Sequence, residues 1–451
     1  MIVFLGVQLV KFRNKGDGLF VHRLYHLGGD FIMTEFKSLN TVENIIEGLD
    51  LPDFQNIGVQ KALLNNKMLL AFDTGTGKTY TYSVFVRALL NNNPEGKHIF
   101  VIIHDSINQA PSDIANLISA PVFAFSGKYE DYKKFKRRWN EASVIILTYE
   151  CFQNMELLSF LYDRLTEVES FVIDEAHHVS GWDVSDTAFI IRSFTHYIPY
   201  VIALTATPIT SRKEQYYQIM NILDRNLSPR RDETFLDKYS ERYMAVNRSD
   251  YLIKGNYKTI LELVEPSVHQ IGEIKGIISR VIKGTGAVNQ VNKLLCVVKE
   301  KLNQNKKVII YVNYHDTREW IEKHFDLENI KYVSLHGRIT KQDERKNILN
   351  RFNDGDTNVL ITSVSESLNI TSDVVIFYEF TTKIKQVMGR AHRGLGAKEL
   401  ELIFIITKDT MEIDYFMKYI YKRSLIIQNL LGKDYQEFID IGNKLNSLEE
   451  N

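Results

Sequence analysis

Short, continuous apolar runs recur along the chain, and the stretches between them carry helical spacing. In the first half the runs are MLLAF (68–72), HIFVIIH (98–104), SVIILTY (143–149), SFVIDE (170–175) and YVIALTA (200–206). Strand-like runs alternating with helical segments from Pro52 to Asp224 predict a parallel sheet covered by helices. A second series of the same kind, KKVIIYV (306–312), KYVSLHG (331–337), TNVLITS (357–363), DVVIFYEF (373–380) and LELIFII (400–406), predicts a second α/β lobe over 294–409. Between them, 225–293 shows helical spacing with few strand-like runs and reads as a helical bridge.

The ends differ in pattern. Residues 1–51 alternate short apolar runs with the turn signals Gly16-Asp17-Gly18 and Gly28-Gly29-Asp30, which predicts a small β-rich accessory domain. From 410 to 451 the spacing is helical, and YFMKYIYKRSLIIQNLL offers an apolar face to pack on the second lobe. The fold class is therefore α/β: two parallel-sheet lobes in tandem (52–224 and 294–409), with a β-rich N-terminal unit, a helical bridge and a helical tail.

Composition narrows the class without deciding it. A chain of 451 residues with 44% hydrophobic and 25% charged residues has room for two or three buried cores. The 55 basic and 56 acidic residues give a net charge of -1, so contact with a polyanion has to come from local clusters. Two distant cysteines, Cys151 and Cys296, provide neither a disulfide framework nor a zinc cluster, and they suit a reducing cytoplasmic setting. The opening MIVFLGVQLV is too short to span a membrane and reads as a strand.

Chemistry concentrates in three places. FDTGTGKT (72–79) joins the strand-like MLLAF to a helical stretch, the order a phosphate-binding loop demands. Gly75 and Gly77 permit a tight turn whose N–H groups, with those of Thr74 and Thr76, cradle phosphate oxygens. Lys78 supplies a point charge and Thr79 a hydroxyl for a metal. Phe72 stands where the first glycine of the common motif would be, and a simple glycine-rich turn is the alternative. Asp174 and Glu175 follow the apolar ESFVI, so they emerge at the C-terminal edge of a strand, where ligands bind in parallel sheets. They read as a magnesium-holding carboxylate and a water-polarising base, or as a solvated acidic pair. QVMGRAHR (386–393) places Arg390 and Arg393 on one basic stretch, either γ-phosphate contacts or a solvated face.

Taken in order, these motifs resemble those of the superfamily 2 helicases over most of the chain, from Phe54 to about Lys433. LTATP (204–208) is similar to motif III, IIYVNYHDTREWI to motif IV, VLITSVSESLNI to motif V and QVMGRAHR to motif VI. The resemblance implies two RecA-like lobes, ATP with Mg2+ as fuel, and hydrolysis on lobe closure. It also implies Gln60 as an adenine reader, Asn369 as a nucleotide contact, Arg393 as arginine finger, and Arg390 and Gln386 as its companions. Thr205 and Thr207 become couplers of hydrolysis to movement, or merely hydroxyls of a turn before Pro208.

For phosphate contacts along a nucleic-acid strand the resemblance offers His104, Asp105 and Ser106, Thr148, Gly337 and Arg338, and Thr362 with Ser363, each equally compatible with a structural role. The bridge and the GRAHRGLG ending look like those of Snf2-like and phage branch-migration translocases, which implies duplex or branched DNA as partner, with forks and four-way junctions as substrates. Ser367 departs from the glycine of motif V, and His269 and Gln270 from the arginines of the bridge. An RNA helicase and a motor subunit of a nuclease complex are the alternatives. The basic segment KYEDYKKFKRRW (128–139) spaces Tyr132, Phe135 and Trp139 as the inward face of an amphipathic helix, against a reading in which it grips DNA.

Overall fold

The computed structural model describes residues 9–12, 20–23, 51–103, 106–107, 110–127, 132–181, 185–209, 214–224, 242–247, 257–266, 288–339, 341–364, 370–379, 384–391, 399–408 and 410–449. Near the N-terminus β1 (Leu9–Phe12) and β2 (Phe20–Arg23) pair antiparallel, Leu9 opposite Arg23. The rest of the expected accessory unit, up to residue 50, lies outside the described residues.

The first large sheet has seven strands: β3 (Lys67–Phe72), β4 (Lys97–Ile102), β5 (Val122–Phe125), β6 (Val144–Thr148), β7 (Val168–Ile173), β8 (Tyr200–Leu204) and β9 (Tyr243–Val246). Their spatial order is β5-β6-β4-β7-β8-β3-β9. β4 runs parallel to β6 and β7, so Phe100 lies opposite both Ile146 and Val172. Every residue of β6, β7 and β8 is buried, which is why these segments read as unbroken apolar runs: both faces of a parallel strand are covered by helices.

Helix Tyr132–Trp139 shows how the covering works. Tyr132, Phe135 and Trp139 are buried, whereas Lys133, Lys134, Lys136, Arg137 and Arg138 are exposed. Trp139 meets the Phe160 ring edge-on at 5.5 Å, and its indole N–H donates to Glu167 Oε2 at 2.7 Å. The aromatic face packs, as its spacing predicts. Where a helix begins, a short polar side chain caps it: Asn154 Oδ1 accepts from Leu157 N at 3.1 Å ahead of helix Met155–Tyr162.

The second sheet has the order β10-β15-β14-β11-β13-β12, with β10 (Tyr257–Val264), β11 (Val308–Tyr311), β12 (Val333–Leu335), β13 (Val359–Thr362), β14 (Val374–Phe377) and β15 (Leu400–Thr407). Its pairs are parallel, and Val308, Ile310, Val359, Ile361, Val374, Ile376, Ile403 and Ile405 form one core with helix Val288–Asn303. After β14, Glu379 accepts from Asn313 N at 2.6 Å, Tyr314 N at 3.2 Å and the Thr317 hydroxyl at 2.7 Å. That carboxylate satisfies the start of helix His315–Leu327, whose own preceding residue Tyr314 makes no side-chain cap.

Of the stretch 225–293, expected as a helical bridge, the structure describes 242–247, 257–266 and 288–293. These residues form β9, β10 and the opening of helix Val288–Asn303. TILELV fits a helix and a strand equally by spacing, and pairing with β15, Ile260 opposite Ile403, selects the strand. Cys296 likewise turns out to be exposed, although its neighbours are apolar; Cys151 is buried.

The tail is helical: Met411–Tyr415, a π-helical segment Phe416–Tyr421, Lys422–Leu431, then Gln436–Glu449. Gly432, at φ 60°, ends the third of these in the left-handed conformation that glycine adopts without a Cβ penalty. No helix among the described residues is long and apolar enough to cross a membrane.

The polypeptide divides into two compact units. One comprises 79–204 and 216–243 with the residues before 70; the other comprises 70–78, 205–215 and 244–451. The phosphate loop thus groups with the second unit.

Candidate functional site

The loop after β3 has the backbone that its sequence requires. Gly75 and Gly77 sit at φ 80° and 78°, where a side chain would strain the chain. Thr76 closes the turn, its hydroxyl donating to the Asp73 carbonyl at 2.7 Å. Helix Lys78–Asn92 begins directly after, so its N-terminal N–H groups open onto the loop. Lys78 Nζ donates to the Phe72 carbonyl at 3.4 Å. Such a turn ahead of a helix N-terminus suits an anion.

Also in the second unit, the Thr74 hydroxyl approaches the Lys385 carbonyl at 3.5 Å, which brings helix Ile384–Ala391 to the loop. Gln386 and Arg390 belong to that helix by backbone. Arg393 and Asn369 lie outside the described residues, as does Ser367.

In the first unit, Asp174 follows β7 and its N–H donates to Val101 O at 2.9 Å. Its Oδ1 accepts from Glu175 N at 3.0 Å. Glu175 adopts φ 50°, a left-handed conformation costly for a residue with a Cβ, and is 7% exposed. Its carboxylate lies 3.4 Å from His177 Nδ1. The backbone that holds this glutamate is anchored by Tyr149, whose hydroxyl donates to the carbonyls of Asp174 at 2.5 Å and of Glu175 at 3.4 Å.

Thr79 and Asp174, the two residues expected at a metal, both act on the Tyr82 phenol. Burial drives the Tyr82 phenol far above its ordinary pKa, the Asp174 charge adds to the rise, and a hydrogen bond with the Thr79 side chain opposes it. The Tyr149 phenol is raised for the same first reason, burial, then by Asp174 and Glu175. The Thr79 hydroxyl and the Asp174 carboxylate are oxygen donors of the kind magnesium takes. Neither tyrosine is a motif residue by sequence; Tyr82 lies one helical turn beyond Thr79, which is the only local signal pointing to it.

Other candidates divide sharply by exposure. Gln60 lies on helix Asp53–Asn65 and its amide donates to Asn56 Oδ1 at 3.2 Å. The Thr205 hydroxyl accepts from Thr207 N at 3.1 Å, the hydroxyl-turn arrangement, while Thr207 Oγ1 has no hydrogen-bond partner among the described residues. Thr148 is fully buried with its hydroxyl 3.6 Å from Cys151 Sγ, and Thr362 is fully buried with its hydroxyl accepting from Val364 N at 3.0 Å. Those two hydroxyls are engaged inside their lobes. Gly337 and Arg338 are exposed; Ser363 and Ser106 are half-buried, their N–H groups donating to Leu335 O at 3.3 Å and Ile103 O at 3.0 Å. His104 and Asp105 lie outside the described residues.

Two parallel α/β sheets, a phosphate loop at the end of one strand and an acidic pair at the end of another define the class of nucleotide-driven motors. Comparison with known proteins sharpens this. The family model "Type III restriction enzyme, res subunit" matches residues 38–210, and "Helicase conserved C-terminal domain" matches 287–394. The chain is 29% identical over 245 residues to the ATP-dependent DNA helicase MPH1 of Scheffersomyces stipitis, covering 48% of this chain and 23% of that protein. It is 22% identical over 422 residues to the DNA 3'-5' translocase XPB2 of Sulfurisphaera tokodaii (83% and 88% covered), and 20% identical over 413 residues to the ATP-dependent RNA helicase FAL1 of Vanderwaltozyma polyspora (86% and 91%). Among solved structures, the Hef helicase domain of Pyrococcus furiosus shares the fold, with a TM-score of 0.54 and 19% identity over 81% of this chain and 97% of that one. The chain belongs to the superfamily 2 helicases and translocases.

Proposed function

We propose that this chain is an ATP-driven motor that travels on DNA and remodels branched DNA such as forks and four-way junctions. The observation that carries the ATP site is the phosphate loop itself, with Gly75 and Gly77 at positive φ directly ahead of helix Lys78–Asn92. Phosphoryl transfer needs little covalent help from protein groups; it needs positioning and charge stabilisation. Lys78 and the N–H groups of Thr74 to Gly77 bind phosphate oxygens, and Thr79 and Asp174 hold Mg2+. Magnesium, when bound, offsets phosphate charge. Glu175, fixed by its left-handed backbone and by Tyr149, orients the attacking water and accepts its proton. Gln60 reads the base, Asn369 adds a nucleotide contact, and Gln386, Arg390 and Arg393 stabilise charge at the γ-phosphate.

Thr205 and Thr207 pass hydrolysis on as movement. Exposed Gly337 and Arg338, half-buried Ser106 and Ser363, and His104 contact strand phosphates, which are blind to sequence. The relatives named DNA helicase and DNA translocase support DNA as the track, as does the Snf2-like ending GRAHRGLG. The similarity to FAL1, named an RNA helicase, favours RNA as a second reading.

One experiment separates them: ATP hydrolysis by the full chain with linear duplex, synthetic four-way junction or RNA duplex, with Lys78→Ala as control. Stimulation greatest with the junction, together with its ATP-dependent conversion to duplex products, supports the proposal; stimulation by RNA alone overturns it. Arg393→Ala should keep ATP binding and lose most turnover, an arginine finger being worth about 10³–10⁵ in rate.

A further inference from the structure

Lys433 lies in the tail, beyond every helicase motif, yet its ammonium is fully buried at the base of the phosphate loop. It ion-pairs with the Asp73 carboxylate, 360 residues away in sequence, and donates to Ala71 O at 2.9 Å and Val246 O at 3.1 Å. An ammonium has three N–H donors, and these three acceptors saturate it. Ala71 belongs to β3, Asp73 begins the loop, and Val246 O also accepts from Asp73 N at 3.1 Å. One buried cation therefore joins the end of β3, the loop's first residue and the end of β9.

The turn that delivers Lys433 is itself fixed. Gly432 in the left-handed conformation redirects the chain after helix Lys422–Leu431. Asn247 then clasps the turn from both sides, its amide donating to Gly432 O at 3.0 Å and its Oδ1 accepting from Asp434 N at 2.9 Å. Three residues after Asp434, buried Glu437 ion-pairs with Lys385, whose carbonyl Thr74 of the loop approaches, and the Lys385 ammonium also lies 4.7 Å from the centre of the Tyr435 ring. The six residues from Gly432 to Glu437 thus touch the phosphate loop through Lys433 and the arginine-bearing helix through Glu437.

Burying an ammonium is costly unless acceptors meet it, and breaking such a pair leaves an uncompensated charge. Burial pulls the Lys433 pKa below its ordinary value, and Asp73 opposes that pull. An apolar side chain here would leave the Asp73 carboxylate and both carbonyls without this donor, so the cation ties loop position to the tail.

We propose that Lys433 is a positioning residue of the ATP site, and that the Gly432–Glu437 turn holds the phosphate loop in its nucleotide-binding arrangement. The inference rests on the proposed ATPase reading. When a loop is binding-competent only a fraction of the time, apparent affinity falls by that fraction. Lys433→Met in the full chain should therefore weaken binding of a fluorescent ATP analogue and raise the KM for ATP by about tenfold, with kcat changed less than about threefold, a competent fraction near one tenth. Asp73→Asn should move KM in the same direction, and the double variant should bind ATP more tightly than the product of the two single losses.

Unchanged KM and analogue affinity in folded Lys433→Met, or strictly multiplicative losses in the double variant, would overturn the proposal. Should Lys433→Met not fold, Asp73→Asn, which leaves both carbonyl partners in place, decides by the same KM and affinity measurement. Absence of Lys78-dependent hydrolysis in the unaltered chain counts against the ATPase reading instead, and analogue binding then still tests Lys433.

Discussion

The Tyr149 hydroxyl donates to the main-chain carbonyl of Asp174 at 2.5 Å, tying the turn after β6 to the acidic pair after β7. The strands β6 and β7 flank β4, so this bond spans two strand spacings, and the Tyr149 ring also lies 5.4 Å from that of His178. Removing the hydroxyl leaves the Glu175 backbone in its left-handed conformation without that support. Tyr149→Phe should cost stability of about 1–3 kcal/mol, the range for a lost buried hydrogen bond. It should also lower kcat about tenfold, equivalent to ~1.4 kcal/mol in the barrier. Thermal melting and steady-state ATPase rates measure the two, and an unaltered kcat would detach Tyr149 from the site.

Trp139 is fully buried and its indole bonds Glu167, while the opposite face of the same helix is basic and exposed. Trp139→Ala should destabilise the protein by about 3–5 kcal/mol through cavity formation. Lys134→Glu with Arg137→Glu should leave the urea midpoint nearly where it was. Equal losses from both changes would mean that the basic face also packs.

His98 is buried on β4 and its Nδ1 lies 2.8 Å from Ser170 Oγ. Burial first, and the Lys97 charge second, depress its pKa to about 3 from an ordinary 6.5. The native ring therefore stays neutral while the unfolded chain takes up a proton below the ordinary value. Stability from this group is present above that value and is lost as pH falls towards the depressed one, at up to about 1.4 kcal/mol per pH unit. Denaturant unfolding of the native chain and of His98→Gln at several pH values checks it: the gap between them should close on acidification, and a constant gap refutes the assignment.

Glu379 accepts three hydrogen bonds at the start of helix His315–Leu327. Glu379→Gln keeps the shape and removes the charge that meets the helix N-terminus. A loss of about 1–3 kcal/mol should appear in the urea transition, since bonds to a charged acceptor are the stronger kind. Full stability in the variant would show that the charge is dispensable there.

Much of the fold was legible because parallel strands covered on both faces leave unbroken apolar runs: the runs containing Leu69, Ile99, Ile145, Val172, Val201, Ile309, Leu360, Val375 and Ile403 all became strands. The segment around Ile260 was not, because its spacing suits a helix and a strand alike and only its neighbour β15 decides. The hydroxyls of Thr148 and Thr362 show the same limit at the site, since only packing reveals that they face Cys151 and Val364 N.

By itself the sequence determined what local chemistry can encode: where glycine permits a phosphate turn, where a helix follows it, and which residues could carry charge to a nucleotide. The tertiary structure alone decided which distant groups meet. Tyr149 with the Asp174 carbonyl and Lys433 with Asp73 are pairings set by strand order and by the path of the tail. The physical reason is that a buried polar group must find a partner wherever the packed chain places one, and no spacing rule along the sequence records that distance.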